Sequence, residues 1–113
     1  MSETSEKYKT SYYLSKKDDR STIVFIHGVG LTKEIWDQQI KFFKNHNTLT
    51  YDLLGHGKTP LEKAQLSFED YTKQLLNLID ELDLKKIHLV GFSLGSLIAR
   101  HFAAVHNDRL SSL

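Results

Sequence analysis

The chain has 113 residues, 40% of them apolar, and its 15 Lys plus Arg nearly balance 14 Asp plus Glu. That length excludes two globular domains, and a near-neutral chain with no basic block argues against nucleic acid or an anionic membrane as main partner. The apolar share is enough for a core, and with no cysteine disulfide scaffolds, thiolate metal sites and cysteine nucleophiles are excluded.

The N-terminal MSETSEKYK has no apolar run after a basic start, so it does not read as a secretory signal. No stretch approaches the ~18 apolar residues of a membrane span. The expectation is a soluble cytoplasmic protein. Residues 1–6 are polar and expected to be disordered. Residues 8–14 contain Thr10, Tyr12 and Tyr13 and read as an edge strand. Ser15-Lys16-Lys17-Asp18-Asp19-Arg20 reads as a charged turn. Ile23-Val24-Phe25-Ile26 is apolar without alternation, the pattern of a strand covered on both faces in a parallel sheet. It runs into His27-Gly28-Val29-Gly30, whose glycines permit unusual backbone angles.

Residues 33–44 place Ile35, Trp36, Ile40 and Phe43 at near-helical spacing. Trp36 reads as a core anchor. A strand is expected at 48–52, then a turn at Gly55-His56-Gly57. Ser67 with Asp70 three residues on reads as a capping box. Behind it Phe68, Tyr71, Leu75, Leu78, Ile79 and Leu82 form a helical stripe. Residues 87–90 read as a third apolar strand, then Gly91-Phe92-Ser93-Leu94-Gly95, then a helix carrying Leu94, Leu97, Ile98 and Phe102. Strand and helix alternate three times. This predicts an α/β fold with a mostly parallel sheet and helices on both faces. Ligands of such sheets bind at the carboxyl ends of the strands, where all three glycine turns fall.

Gly91-Phe92-Ser93-Leu94-Gly95 fits G-x-S-x-G between an apolar strand and a helix. A sharp strand-to-helix turn pushes the serine hydroxyl out of the sheet, and side chains two residues either side would collide, so Gly91 and Gly95 are required. The helix N-terminus behind it offers free N–H donors and partial positive charge to an oxyanion. The competing reading is that Ser93 merely caps the helix. A backbone N–H in the His27-Gly28-Val29-Gly30 turn, together with that of Leu94, could hold a developing oxyanion, a donor of this kind being worth about 2.7–4 kcal/mol in a transition state. Gly57-Lys58-Thr59 is not a phosphate loop, because Asp52 stands where that motif needs glycine, and Lys33 stands where a dinucleotide loop needs its third. Residues 52–59 read as a structural turn in which Asp52 bonds its own loop backbone. The six histidines give no metal spacing: His101 and His106 fall on different helix faces, and His46, His88 and His106 read as surface or edge residues. No metal or cofactor is expected.

Together the three motifs resemble the α/β-hydrolase superfamily, over nearly the whole chain from about Tyr8 to Leu113. Within it, His27-Gly28-Val29-Gly30-Leu31 followed by Trp36, and Tyr51-Asp52-Leu53-Leu54-Gly55-His56-Gly57, look like the small esterase and 3-oxoadipate enol-lactonase type. Thr59 departs from the serine common there. The resemblance implies Ser93 as nucleophile, with the backbone N–H groups of Leu94 and Val29, or alternatively Gly30, as oxyanion hole. His27, Gly28, Gly91 and Gly95 are then structural. It implies a serine hydrolase that cleaves a small-molecule ester, thioester or lactone through an acyl-serine intermediate without a cofactor. Family order is Ser, then Asp or Glu, then His. After Ser93 the chain offers only Asp108 and no histidine beyond it, and His101 and His106 lie on the helix that leads away from the elbow. The 113 residues therefore read as the N-terminal portion of a single, truncated hydrolase domain, with the triad's acid and histidine and the substrate-covering cap beyond Leu113. On its own such a chain is expected to be inactive. The resemblance also implies that the strand before the elbow, Lys86 to Val90, has the His27-bearing strand on one side and takes its other neighbour from sequence beyond Leu113. The rival readings are a non-catalytic small-ligand-binding protein, or an inactive remnant, on the same fold.

Overall fold

A computed structural model describes residues 2–61 and 63–113. The strands are β1 (Glu3–Thr4), β2 (Ser11–Ser15), β3 (Thr22–Ile26), β4 (Asn47–Tyr51), β5 (Ile87–Gly91) and β6 (Leu110–Ser112). The helices are α1 (Asp37–Phe42), α2 (Phe68–Glu81) and α3 (Leu94–Val105), with 3₁₀ turns at Lys33–Trp36 and Asn107–Arg109. One sheet holds the strands in the order β1-β2-β4-β3-β5-β6. β4, β3, β5 and β6 run parallel, and β2 joins β4 antiparallel with β1 outside it. This is the mostly parallel α/β sheet expected.

The unbroken apolar run of β3 is explained by its place between β4 and β5. Val24 and Ile26 join Leu75, Leu78, Ile79, Ile98 and Phe102 in one core under α2 and α3. Phe25 faces the other way, onto Trp36 with ring centroids 5.0 Å apart and onto Phe43 at 6.3 Å. Both faces are thus covered, and each exclusion of water contributes about 1.5–3 kcal/mol per large apolar side chain. α2 opens on the capping box read from the sequence. Ser67 Oγ accepts from the Asp70 N–H at 3.3 Å, and Asp70 Oδ2 accepts from the Ser67 N–H at 2.8 Å.

Four local expectations change. Residues 1–6 were expected to be disordered, but Glu3 and Thr4 pair with Tyr12 and Ser11, and Glu81 accepts hydrogen bonds from the Glu6 and Lys7 N–H groups. Met1 lies outside the described residues. The edge strand expected over residues 8–14 forms later, as β2, because Lys9 at φ 54° turns the chain. The helix expected over residues 33–44 divides into a 3₁₀ turn and a short α1. Lys33 is drawn inward, the Ile35 N–H bonds Thr32 O three residues back, and Ile35 is left exposed. Finally, β5 was expected to lack a neighbour on its outer side from within this chain. Instead β6 pairs with it at Ile87 and His88. Arg109 holds that return, donating to the Leu84 and Lys85 carbonyls and pairing with Asp80 at 2.7 Å. Among the described residues no helix is long and apolar enough to cross a membrane.

Candidate active site

The turns after β3, β4 and β5 meet at the carboxyl end of the sheet. Ser93 stands between β5 and α3 at φ 56°, ψ −118°. An L residue held there stores strain on the order of 1–3 kcal/mol, and such strain persists only where the surroundings impose it. They do so here. A Cβ on Gly91 would overlap the Gly95 carbonyl and reach Ser96 N at 2.6 Å; one on Gly95 would overlap the Ile26 carbonyl and reach His27 O at 2.7 Å. The Phe92 N–H donates to Ile26 O at 3.0 Å and ties the elbow to β3. The expected glycine requirement at both positions follows from these contacts. Ser93 is exposed, and its side chain makes no capping hydrogen bond to α3. The capping reading therefore loses its support.

The β3 turn packs directly on this elbow. A Cβ on Gly28 would lie 3.1 Å from Ser93 Cβ and 3.4 Å from the Phe92 ring. Residues 28–31 close a turn through the Leu31 N–H to Gly28 O at 3.2 Å. Gly30, its third residue, has φ +77°, the value a type II turn requires there. Among the described residues the N–H groups of Val29, Gly30 and Leu94 have no hydrogen-bond acceptor. Val29 is 69% exposed and Phe92 55%, so the ground beside Ser93 is open and apolar.

His27 is fully buried and spans two turns. Its Nε2 accepts from the Leu53 N–H at 3.0 Å, so neutral His27 carries its proton on Nδ1 and donates it to Gly28 O at 2.8 Å. Burial pushes its pKa below the ordinary histidine value. Asp52 does bond its own loop, accepting from the Lys58 N–H at 3.0 Å. It also accepts from Lys33, at 2.8 Å from the backbone N–H and 2.9 Å from Nζ. Lys33 and Asp52 are both buried, at 1% and 0% side-chain exposure. Burial opposes the Lys33 charge, but the Asp52 carboxylate, with Glu34, outweighs it and holds the amine above the ordinary lysine value. The sequence reading gave Lys33 no role. The one signal for it was Asp52 itself, a carboxylate at the end of an apolar strand, which needs a partner when buried.

No histidine among the described residues hydrogen-bonds Ser93. His101 pairs with Thr72 at 2.7 Å, His88 with Ser112 at 2.6 Å, and His106 packs on Phe102. His46 is exposed beside Phe43, and His56 bonds Leu54 O. Asp108 is exposed and offers its carbonyl to Lys86. Among the described residues no cluster of His, Asp and Glu could hold a metal.

A family model described as alpha/beta hydrolase fold matches residues 21–113. The (E)-2-((N-methylformamido)methylene)succinate hydrolase of Acinetobacter baylyi is 31% identical over 101 residues, covering 88% of this chain and 38% of its own. Human monoacylglycerol lipase is 31% identical over 113 residues, covering 96% of this chain and 34% of its own. The solved enol-lactonase of Burkholderia xenovorans superposes with a TM-score of 0.84 at 28% identity, covering 89% of this chain and 40% of that one. The chain thus spans about two-fifths or less of the length of these relatives. The strand–turn–helix build around Ser93 and a match over residues 21–113 lead to one assignment: the chain belongs to the alpha/beta hydrolase fold family.

Proposed function

We propose that the chain carries the nucleophile and oxyanion hole of a serine hydrolase that cleaves a small-molecule carboxylic ester, thioester or lactone. The observation that supports this most is the strained, uncapped and exposed Ser93 at the head of α3. Ser93 Oγ attacks the acyl carbon. The carbonyl oxygen takes up the negative charge and is met by the Leu94 and Val29 N–H groups, with Gly30 as the alternative donor. The alkoxide or thiolate leaves, and water later clears the acyl-serine. This route needs no cofactor. Two of the relatives are called an enol-lactonase and a monoacylglycerol lipase, names that agree with the acyl chemistry.

A serine hydroxyl needs a base to attack at neutral pH, and His27 is spent on two hydrogen bonds. The base and its orienting acid are therefore proposed to lie outside these 113 residues, in a protein of the length its relatives have. The protein acts free in the cytoplasm on small molecules, with neither nucleic acid nor membrane as partner. The test is turnover of p-nitrophenyl esters by the full-length protein, with covalent labelling by a fluorophosphonate. Ser93→Ala is expected to remove both while the fold stays intact. Undiminished turnover in that variant would overturn the serine reading.

A further inference from the structure

We infer that Lys33 and Asp52 are positioning residues, which clamp the far end of the oxyanion turn so that its N–H donors stay aimed at the substrate. The inference rests on the serine-hydrolase reading and extends it to two side chains that lie away from the reacting atoms. The turn after β3 carries the candidate donors Val29 and Gly30 on residues 28–32. A turn whose donors stay free for substrate cannot hold itself rigid with those same N–H groups. It must be fastened from outside, and the turn after β4 does this at both ends. At the near end the Leu53 N–H donates to His27 Nε2 at 3.0 Å, while His27 Nδ1–H donates to Gly28 O at 2.8 Å. At the far end Asp52, the residue before Leu53, accepts from the Lys33 N–H at 2.8 Å and from Lys33 Nζ at 2.9 Å.

The far fastening is built for rigidity. Asp52 Oδ2 also accepts from the Lys58 N–H at 3.0 Å. Gln74, from α2, donates to the Asp52 carbonyl at 3.0 Å and accepts from the Leu54 N–H at 3.1 Å. Gly57 sits so close to the Asp52 carboxylate that a Cβ there would overlap it. On its other side Lys33 Nζ lies 4.9 Å above the Tyr13 ring and 3.4 Å from Glu34 Oε2. Removing one partner of a buried pair leaves an uncompensated charge, whereas replacing both keeps the fold. Oxyanion donors act on the transition state, so their misplacement lowers kcat and leaves ground-state binding alone.

The experiment compares wild type, Lys33→Met and the charge-free double variant Lys33→Met/Asp52→Leu, which leaves no side-chain acceptor for the residue-33 N–H, in the full-length protein. The double variant guards against a single variant that fails to fold. Backbone ¹⁵N relaxation reads the Val29 and Gly30 N–H vectors directly, and ester hydrolysis gives kcat and KM. In wild type the order parameters are expected near 0.85, and in the folded variants near 0.6 or below, with β5 amides unchanged. Turnover is expected to fall roughly 10-fold to 100-fold in kcat with KM within about 2-fold, a loss short of the ~10²–10³ for deleting a donor outright. Unchanged order parameters in a folded variant would overturn the clamp, as would a loss confined to KM. If Ser93→Ala retains turnover, the serine reading fails on its own, and the relaxation data still decide whether the clamp exists.

Discussion

Gly95→Ala is the sharpest test of how the elbow is built. Gly95 is the second residue of α3 and lies against the backbone of β3. The added methyl would overlap Ile26 O and come within 2.7 Å of both His27 O and Ile26 C, where ordinary contact begins near 3.4 Å. The shortfall is therefore at least about 0.7 Å. Neither side can yield locally. Ile26 O is held by the Phe92 N–H at 3.0 Å, and β3 is bonded on both flanks to β4 and β5. The start of α3 must move away from the sheet, and Ser93 moves with it. Overpacking of this kind costs about 1–3 kcal/mol. Alanine recovers at most about 1 kcal/mol of helix propensity over glycine, and less in a first turn. The net expectation is a loss of about 1–2 kcal/mol, or a melting temperature lower by roughly 2–8 °C in a full-length protein of its relatives' size. Thermal unfolding followed by circular dichroism measures it, with Arg100→Ala, exposed on the same helix, as a control within about 0.5 kcal/mol of wild type. A Gly95→Ala protein that melts at or above the wild-type temperature would refute the close approach of α3 to β3 and the elbow geometry derived from it.

Ser93→Gly should remove the strain at φ 56° and raise the unfolding free energy by up to about 1 kcal/mol in urea titrations, offset in part by the flexibility glycine gives the unfolded chain; the same substitution should abolish turnover. His27 supplies a pH dependence. Burial holds its folded pKa below the value of the unfolded chain, so the unfolded state takes up the proton first as pH falls. Its stabilising contribution is complete above about pH 6.5 and is lost below it, with a slope of at most about 1.4 kcal/mol per pH unit, until the folded pKa is passed. Urea midpoints between pH 8 and pH 5 should show this loss, and His27→Gln should flatten it. The 113-residue chain purified alone should hydrolyse p-nitrophenyl esters negligibly. It should also associate as concentration rises, because among the described residues β6 covers β5 at Ile87 and His88 alone, and Val90, Leu97 and Leu113 stay exposed. A single monomeric species across the micromolar range in sedimentation velocity would contradict the second point.

The sheet was legible because its strands obey local rules. Val24, Phe25 and Ile26 are apolar without alternation and are buried on both faces. The glycines around Ser93 stand where any side chain would strike backbone. What was not legible depends on partners far along the chain. Lys33 sits in a stretch read as a helix from its apolar residues, and its burial follows from Asp52, 19 residues away. β6 is Leu110-Ser111-Ser112, which has no strand pattern; it is fastened by Arg109 to carbonyls 24 and 25 residues earlier. The segment after β1 is fastened in the same way, the Glu6 and Lys7 N–H groups donating to the Glu81 carboxylate. Asn47 begins a strand yet is buried, because its amide closes the charged turn through Lys17, Asp18 and Arg20.

Of these long-range polar bonds the Lys33–Asp52 pair lies at the site, and it belongs to a group of buried polar bonds at the carboxyl end of the sheet. The helices are seated by apolar packing, which is non-directional and tolerates small shifts. The turns around Ser93 cannot be seated that way. They need their N–H groups outward and free, and they offer mainly glycine to a core. Directional bonds from buried side chains are the remaining means of fixing them, and His27, Lys33, Asp52 and Gln74 are among the buried polar residues that bond the two turns. The same requirement explains a glycine that the sequence alone reads only as part of a turn. Gly57 has φ +51° and leaves no room for a side chain against the Asp52 carboxylate. Its glycine is demanded by the clamp as well as by the bend.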